Sequence, residues 1–115
     1  MMVKRDLSTI SHGFFSALSN PTRLGIIEAL IEEPKHVKQI AAELNQEQSM
    51  ISHNLRQLVN CHFVDVRREG KQRVYTLNHA TIDPLIKLIE NHCHVSCMDG
   101  EDCYLKTESG DEIGN

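Results

Sequence analysis

The stretch Gln48-Ser-Met-Ile-Ser-His-Asn-Leu-Arg-Gln-Leu-Val-Asn60 constrains the chain most. Ile51, Leu55, Leu58 and Val59 recur at helical spacing and form one apolar stripe. The opposite face carries Gln48, Ser49, Ser52, His53, Asn54, Arg56 and Gln57. These are short or planar hydrogen-bonding groups plus one guanidinium. That is the vocabulary for contacting phosphates and base edges in a major groove. Arg56 is the strongest candidate, because its fork can bond bidentately. His53 reads either as a contact or as a half-buried polar residue that orients the helix.

The flanks give this helix its setting. Residues 36–44 form a short helix with Val37, Ile40, Ala41 and Leu44 inward, and Asn45-Gln46-Glu47 is a tight turn. A short helix, a turn and a polar-faced second helix make a helix-turn-helix. Downstream, Asn60 is the expected C-cap. Residues 63–68 alternate, with Val64 and Val66 against Asp65 and Arg67. Glu69-Gly70-Lys71 is a turn, and residues 73–77 alternate again. The pattern predicts a β-hairpin whose tip and outer face are basic. Upstream, Ile10, Phe14, Phe15 and Leu18 mark a helix over residues 7–18, with Gly13 a soft spot. Asn20 caps and Pro21 starts a second helix over about 21–32, with Leu24, Ile27, Leu30 and Ile31 on one face. A last helix, capped by Asn78 or Thr81, has the stripe Ile82, Leu85, Ile86 and Ile89, continuing towards Cys93. The expected fold is mainly α with a small β-hairpin wing, a winged helix-turn-helix of five helices in the order α-α-α-α-β-β-α.

Length and charge bound the function. The chain has 115 residues, enough for one modest core, and that core must be aliphatic because aromatics make up only 4%. The expected division is 1–95 for DNA binding and dimerisation and 96–115 for a loose acidic, cysteine-containing tail. No apolar run reaches the ~20 residues that cross a bilayer, and residues 1–6 lack a signal-peptide core. The expectation is a cytoplasmic protein without a membrane partner. A net charge of −4 argues against nucleic acid until its distribution is considered. Residues 1–77 hold ten Lys/Arg against eight Asp/Glu, and residues 78–115 hold two against eight. Arg56, Arg67, Arg68, Lys71 and Arg73 make a local basic patch, which is what phosphate contact needs.

Four segments together resemble the ArsR/SmtB family of winged-helix repressors: Leu18-Ser-Asn-Pro-Thr-Arg-Leu-Gly-Ile-Ile27, Gln48 to Leu58, Phe63-Val64, and Arg68-Glu-Gly-Lys-Gln-Arg-Val-Tyr75. The resemblance covers roughly residues 8–92. It implies a homodimer, paired through the first and last helices, that binds double-stranded operator DNA and lets go when a metal ion or oxidant changes the dimer. It also implies that Gln48, Ser49, Ser52, His53 and Arg56 face DNA. Arg67, Arg68, Lys71 and Arg73 match the wing. A dimer also follows from size, since one such module buries too little surface for operator-level affinity.

The family's sensing sites match only in places. Val37-Lys-Gln-Ile40 lacks the Cys-x-Cys pair of one arsenic or lead site. His79, Thr81, His92 and Val95 fall at or near the positions of a zinc site on the last helix, and only His92 matches. Cys61 matches a cysteine of some cadmium and lead sensors, but its companion position is Gln57.

The remaining candidate sensor is His92-Cys-His-Val-Ser-Cys-Met-Asp-Gly-Glu-Asp-Cys103. Cys93 and Cys97 are four apart, so a continuing helix puts both on one face. Cys103 could fold back as a third thiolate, with His92 or His94 as a fourth ligand. Mixed sulfur and imidazole suits Zn²⁺; three thiolates suit Cd²⁺, Pb²⁺ or As(III). Without a sensory role, Cys61 replaces a small core residue, Cys93 ends the core stripe, and the chain is a winged-helix regulator with no small ligand. A redox reading pairs Cys93, Cys97 or Cys103 in a disulfide, across the dimer or to Cys61. The acids Asp99, Glu101 and Asp102 favour a cation over an oxidant. Two other classes compete. A protein-interaction module would not need the four basic residues of the wing. An enzyme would need a nucleophile–base pair or a phosphate loop, and the sequence offers neither.

Overall fold

The computed structural model describes the backbone of residues 4–96 and the side chains of residues 6–94. Its elements are α1 (Lys4–Leu18), α2 (Pro21–Leu30), α3 (Val37–Leu44), α4 (Gln48–Asn60), β1 (Val64–Glu69), β2 (Gln72–Leu77) and α5 (His79–Ser96). That is the expected winged order, α-α-α-α-β-β-α. The expected boundary at residue 95 falls in the last turn of α5. Apart from Ser96, the expected tail lies outside the described residues.

Local chemistry sets the helix ends. Asn20 sits in extended backbone, its Oδ1 accepts from the Arg23 amide at 2.9 Å, and Pro21 opens α2 without a wasted donor. The α2 helix stops at Leu30, two residues short of expectation. Lys35 closes this end, its Nζ donating to the Ala29 carbonyl at 2.6 Å and to Glu43 at 2.9 Å. Before α3, the Gln39 side chain accepts from the His36 amide at 2.8 Å. Asn45, left-handed at φ 56°, ends that helix. Asparagine tolerates this conformation better than most residues, so a short turn can reverse the chain into α4.

The α4 helix has the bounds its periodicity predicts, but its ending differs. Cys61, not Asn60, is the C-cap. His62 takes the left-handed conformation at φ 64°. Its amide donates to Val59 at 3.0 Å, and the Phe63 amide donates to Leu58 at 2.9 Å. This is a Schellman ending with histidine where glycine is usual. It turns Phe63 inward, where its ring meets Phe14 edge-to-face at a centroid distance of 5.1 Å.

The core of residues 6–78 is mainly aliphatic, with Phe63 and Tyr75 its buried aromatic residues. Ile26, Ile27 and Leu30 from α2, Ile40 and Ala41 from α3, and Ile51, Leu55 and Leu58 from α4 are all buried. The hairpin covers one side with Val64, Val74, Tyr75 and Leu77. Two expected stripes change. Leu24 and Ile31 of α2 are exposed, and Ile26 and Ala29 take their places. In α1, Leu18 is buried and Phe14 half-buried, while Ile10 and Phe15 face outward. The α1 helix passes Gly13 without a break.

The hairpin pairs Glu69 with Gln72, leaving only Gly70 and Lys71 as its turn. Gly70, at φ 66°, occupies the first central position, where two-residue hairpin turns with one positive φ need glycine. Strict alternation fails at Val74 and Tyr75, which are both buried. Tyr75 is covered because its backbone pairs with Lys35, at 2.9 and 3.1 Å, as a one-residue third strand. Beyond Val64 strand β1 leaves the core, and Val66 is 41% exposed.

The α5 helix forms a unit of its own. It runs through Pro84, and His79 Nδ1 lies 2.9 Å from Asp83 Oδ1. Leu88 and Ile89 are exposed on it.

The Schellman ending generates a stability prediction. Left-handed backbone costs a non-glycine residue roughly 1 kcal/mol, and more if it is β-branched. In urea unfolding, His62→Gly should stabilise by about 0.5 kcal/mol, after the extra entropy of glycine is subtracted. His62→Val should destabilise by about 1–2 kcal/mol. The reverse order of midpoints would show that His62 is not held left-handed.

Candidate nucleic-acid interface

The α4 helix lays its apolar stripe into the core and leaves Gln48, Ser49, Ser52, His53 and Arg56 exposed. His53 is therefore not a half-buried orienting residue. Ser52 and Arg56 turn towards the hairpin. Together with Val59, Val66, Arg73 and Tyr75 they line a cleft of about 160 Å³. A wider groove of about 370 Å³ adjoins it, lined by His36, Val37, Lys38, Ser52, Arg68, Lys71, Gln72, Arg73 and Tyr75. Ser52, Arg73 and Tyr75 belong to both. Neither lining contains a carboxylate.

The hairpin register produces this charge. Arg68 stands directly opposite Arg73, so both project from one face of the sheet. Like charges in that position repel, and folding gains nothing from them. Arg67 projects from the other face. Its Nη2 pairs with Glu69 Oε2 at 2.9 Å, both side chains more than half exposed. The structure thus brings Ser52, Arg56, Arg68, Lys71 and Arg73 around one continuous groove. Gln48, Ser49 and His53 sit on the same helix outside it, and Arg67 is turned away.

With this geometry in place, the likeness to known proteins is specific. Residues 20–66 match the family described as bacterial regulatory protein, arsR family. The transcriptional repressor SmtB homolog of Synechocystis sp. is 34% identical over 83 residues, which span 72% of this chain and 63% of that protein, just under two thirds of its length. The arsenical resistance operon repressor of Staphylococcus aureus is 30% identical over 86 residues, spanning 75% of this chain and 79% of that one. The crystal structure of M. tuberculosis Rv0081 superposes with a TM-score of 0.74 at 26% identity, over 81% of this chain and 94% of the other. The chain belongs to the ArsR family. These are DNA-binding transcriptional regulators, not enzymes.

The fold of this ArsR-family chain corrects one placement on α4. Asn54 belongs to the buried side, not to the polar face, and is only 8% exposed. It stands three residues after Ile51 and four before Leu58, so its spacing placed it in the stripe while its polarity pointed outward. His36 and Lys38 were not among the expected contacts, yet they line the basic groove. Their signal was position, at the start of the short helix that precedes the turn.

The expected sensor is only partly described. Cys61 is exposed, which removes the reading of a small core residue. Cys93 is half-buried on α5, and His92 and His94 are exposed. His92 and His94 are two apart in a helix and do not share a face. Among the described residues no three His, Cys, Asp or Glu side chains converge as a metal cluster. Cys97 and Cys103 lie outside the described residues. No helix among those described is long and apolar enough to cross a membrane.

The exposure of Cys61 is directly measurable. In a variant with Cys93, Cys97 and Cys103 replaced by serine, the remaining thiol should react with a disulfide reagent about as fast as a small-molecule thiol. Protection by an order of magnitude or more would mean that Cys61 is covered in solution.

Proposed function

We propose that this chain is a homodimeric transcriptional repressor that reads operator DNA with α4 and the β1–β2 wing and releases it on binding a metal or metalloid ion. One observation carries the DNA reading. The wing holds Arg68 opposite Arg73 at a cost to folding, and both open into the groove that also receives Ser52 and Arg56. Such a concentration of positive charge is stabilised when a polyanion fills it. Gln48, Ser49, Ser52, His53 and Arg56 are the base-edge and phosphate candidates on the helix. Arg67, Arg68, Lys71 and Arg73 are the wing's phosphate candidates, with Arg67 reaching the backbone from the outer face.

The dimer reading has support within α1. Leu7 and Ile10 are each 51% exposed and Phe15 is 60% exposed. A lone surface helix rarely shows so much apolar area, and a second copy would cover it. Leu88 and Ile89 of α5, taken by itself, suggest the same.

The sensing reading rests on the sequence and on the relatives. Cys93, Cys97 and Cys103 fall within eleven residues, with His92 and His94 beside the first. One similar protein is an arsenical resistance operon repressor. Thiolate and imidazole donors suit soft or borderline ions, from Zn²⁺ through Cd²⁺ and Pb²⁺ to As(III).

The two readings are tested separately. A cognate duplex can be selected from a randomised double-stranded library with the unaltered protein. Arg56→Ala should weaken binding to that duplex by about 1–3 kcal/mol and relax its sequence preference. Arg68→Ala with Lys71→Ala should flatten the salt dependence of log K by about 0.9 for each phosphate no longer neutralised. An unchanged footprint and an unchanged slope would remove these residues from the interface. For sensing, replacing Cys93, Cys97 and Cys103 by serine should preserve duplex binding and abolish its release by the four ions. Release that survives would place the sensor elsewhere.

A further inference from the structure

The displacement of Asn54 into the core leaves a polar network that the groove does not use. Asn54 is nine-tenths buried, and both ends of its amide are engaged. Its Nδ2 donates to the Met50 carbonyl at 3.0 Å, one turn back on α4. Its Oδ1 accepts from Arg23 Nη1 at 3.2 Å. The same guanidinium donates from Nε to the Ala17 carbonyl at 2.7 Å, in the last turn of α1. The backbone of Arg23 is itself fixed, its amide donating to Asn20 Oδ1 at 2.9 Å. One planar group on α2 therefore spans the end of α1 and the middle of α4.

From this network we infer that Arg23 and Asn54 are positioning residues that set the pitch of the reading helix relative to α1. The inference rests on the DNA reading proposed above. The apolar contacts of Ile51, Leu55 and Leu58 hold α4 in the core, but such contacts are non-directional and permit small rolls and slides. A buried amide bonded at both ends permits few, and buried asparagines are known to fix helix register in this way. Leucine at position 54 would bury more apolar surface, so the amide trades stability for orientation. Ser52, His53 and Arg56 flank Asn54, so a roll about the α4 axis moves all three. The connection to α1 matters because α1 carries Leu7, Ile10 and Phe15. A tilt of α1 is passed to α4 through a rigid fork and not through deformable packing. Lysine cannot replace arginine here, because a point charge on a flexible stem does not hold two acceptors in a fixed plane.

The test compares the duplex selected by the unaltered protein with a scrambled duplex of equal length. Failure of the unaltered protein to select any consensus would overturn the DNA reading and this inference with it. If a consensus is selected, Asn54→Leu and Arg23→Lys should each lower the consensus-to-scrambled affinity ratio by about tenfold or more, the scale of a single base mismatch. Affinity for the scrambled duplex and its salt slope should stay within about twofold. The double variant should lose no more than either single one, since both cut the same connection. Asn54→Asp keeps the acceptor for Arg23 but loses the donor to the Met50 carbonyl, so it should lower the ratio as well, and Arg23→Lys decides the matter if Asn54→Leu does not fold. Three results overturn the inference: an unchanged ratio in folded Asn54→Leu or Arg23→Lys, losses that multiply in the double variant, or equal weakening on both duplexes with a lowered thermal midpoint.

Discussion

Everything in residues 6–78 follows from one demand on α4, which must bury one face and leave the other bare. Ile51, Leu55 and Leu58 are fully buried and stand where α2, α3 and the hairpin meet. Each such side chain contributes about 2 kcal/mol by its removal from water. The opposite face contributes nothing to this core and is free to carry serine, histidine and arginine. The neighbours are arranged around that asymmetry. Asn45 turns the chain sharply enough for α3 to pack on one side of α4, and the Schellman ending at Cys61 and His62 sends Phe63 back into the core on another. The hairpin then emerges beside the bare face, because Phe63 and Val64 anchor the start of β1 and Val74, Tyr75 and Leu77 anchor β2, while residues 65–73 are exposed.

The wing shows a second kind of constraint, a local rule broken where the proposed DNA contact would need it. A strand pair built for stability alone would not set Arg68 opposite Arg73, nor leave Val66 exposed between charged neighbours. The ion pair on the hairpin, Arg67 with Glu69, is exposed and contributes at most about 1 kcal/mol. It lies on the face away from the groove, so the groove keeps its full positive charge. Departures of this sort are expected where folding and binding make opposite demands on the same residues.

How much of this was legible in the sequence depends on which physical effect governs each residue. Periodicity reports burial on one face; it held for Ile51, Leu55 and Leu58 and for the bounds of α4, and failed for Leu24 and Ile31 of α2 and Ile10 and Phe15 of α1, which are exposed. The order of elements and the hairpin were legible for the same reason, helped by Gly70 and by Asn20-Pro21. Periodicity did not report burial that comes from a distant partner. Tyr75 is buried where its backbone pairs with Lys35, forty residues away, and beside Ser52, Arg56 and Val59 of α4, and no local pattern carries that information. Residue type misled at Asn54, whose buried place is explained by Arg23 thirty-one positions away. The end of α4 was misjudged because histidine at φ 64° is an uncommon choice, and the tertiary packing of Phe63 overrides the local preference. The strand that follows Cys61 suggests a small core residue. That ending points it outward instead.

In the proposed dimeric repressor, α4 is one of a pair. Two reading helices on one face of a duplex are separated by about one helical turn, roughly 34 Å. Each therefore swings on a lever of about 17 Å from the two-fold axis. A tilt of about 5° displaces its side chains by roughly 1.5 Å, while a hydrogen bond tolerates only a few tenths of an ångström. Release of DNA thus needs neither a large motion nor the unfolding of the winged domain. It needs only a ligand that prefers a slightly different angle between copies, by a free energy comparable to that of the DNA hydrogen bonds the tilt breaks. In the proposed dimer, the Arg23–Asn54 connection from α1 to α4 would make the reading face responsive to that angle. Were α4 seated by apolar packing alone, part of the tilt would dissipate in small slips within each copy before it reached the DNA.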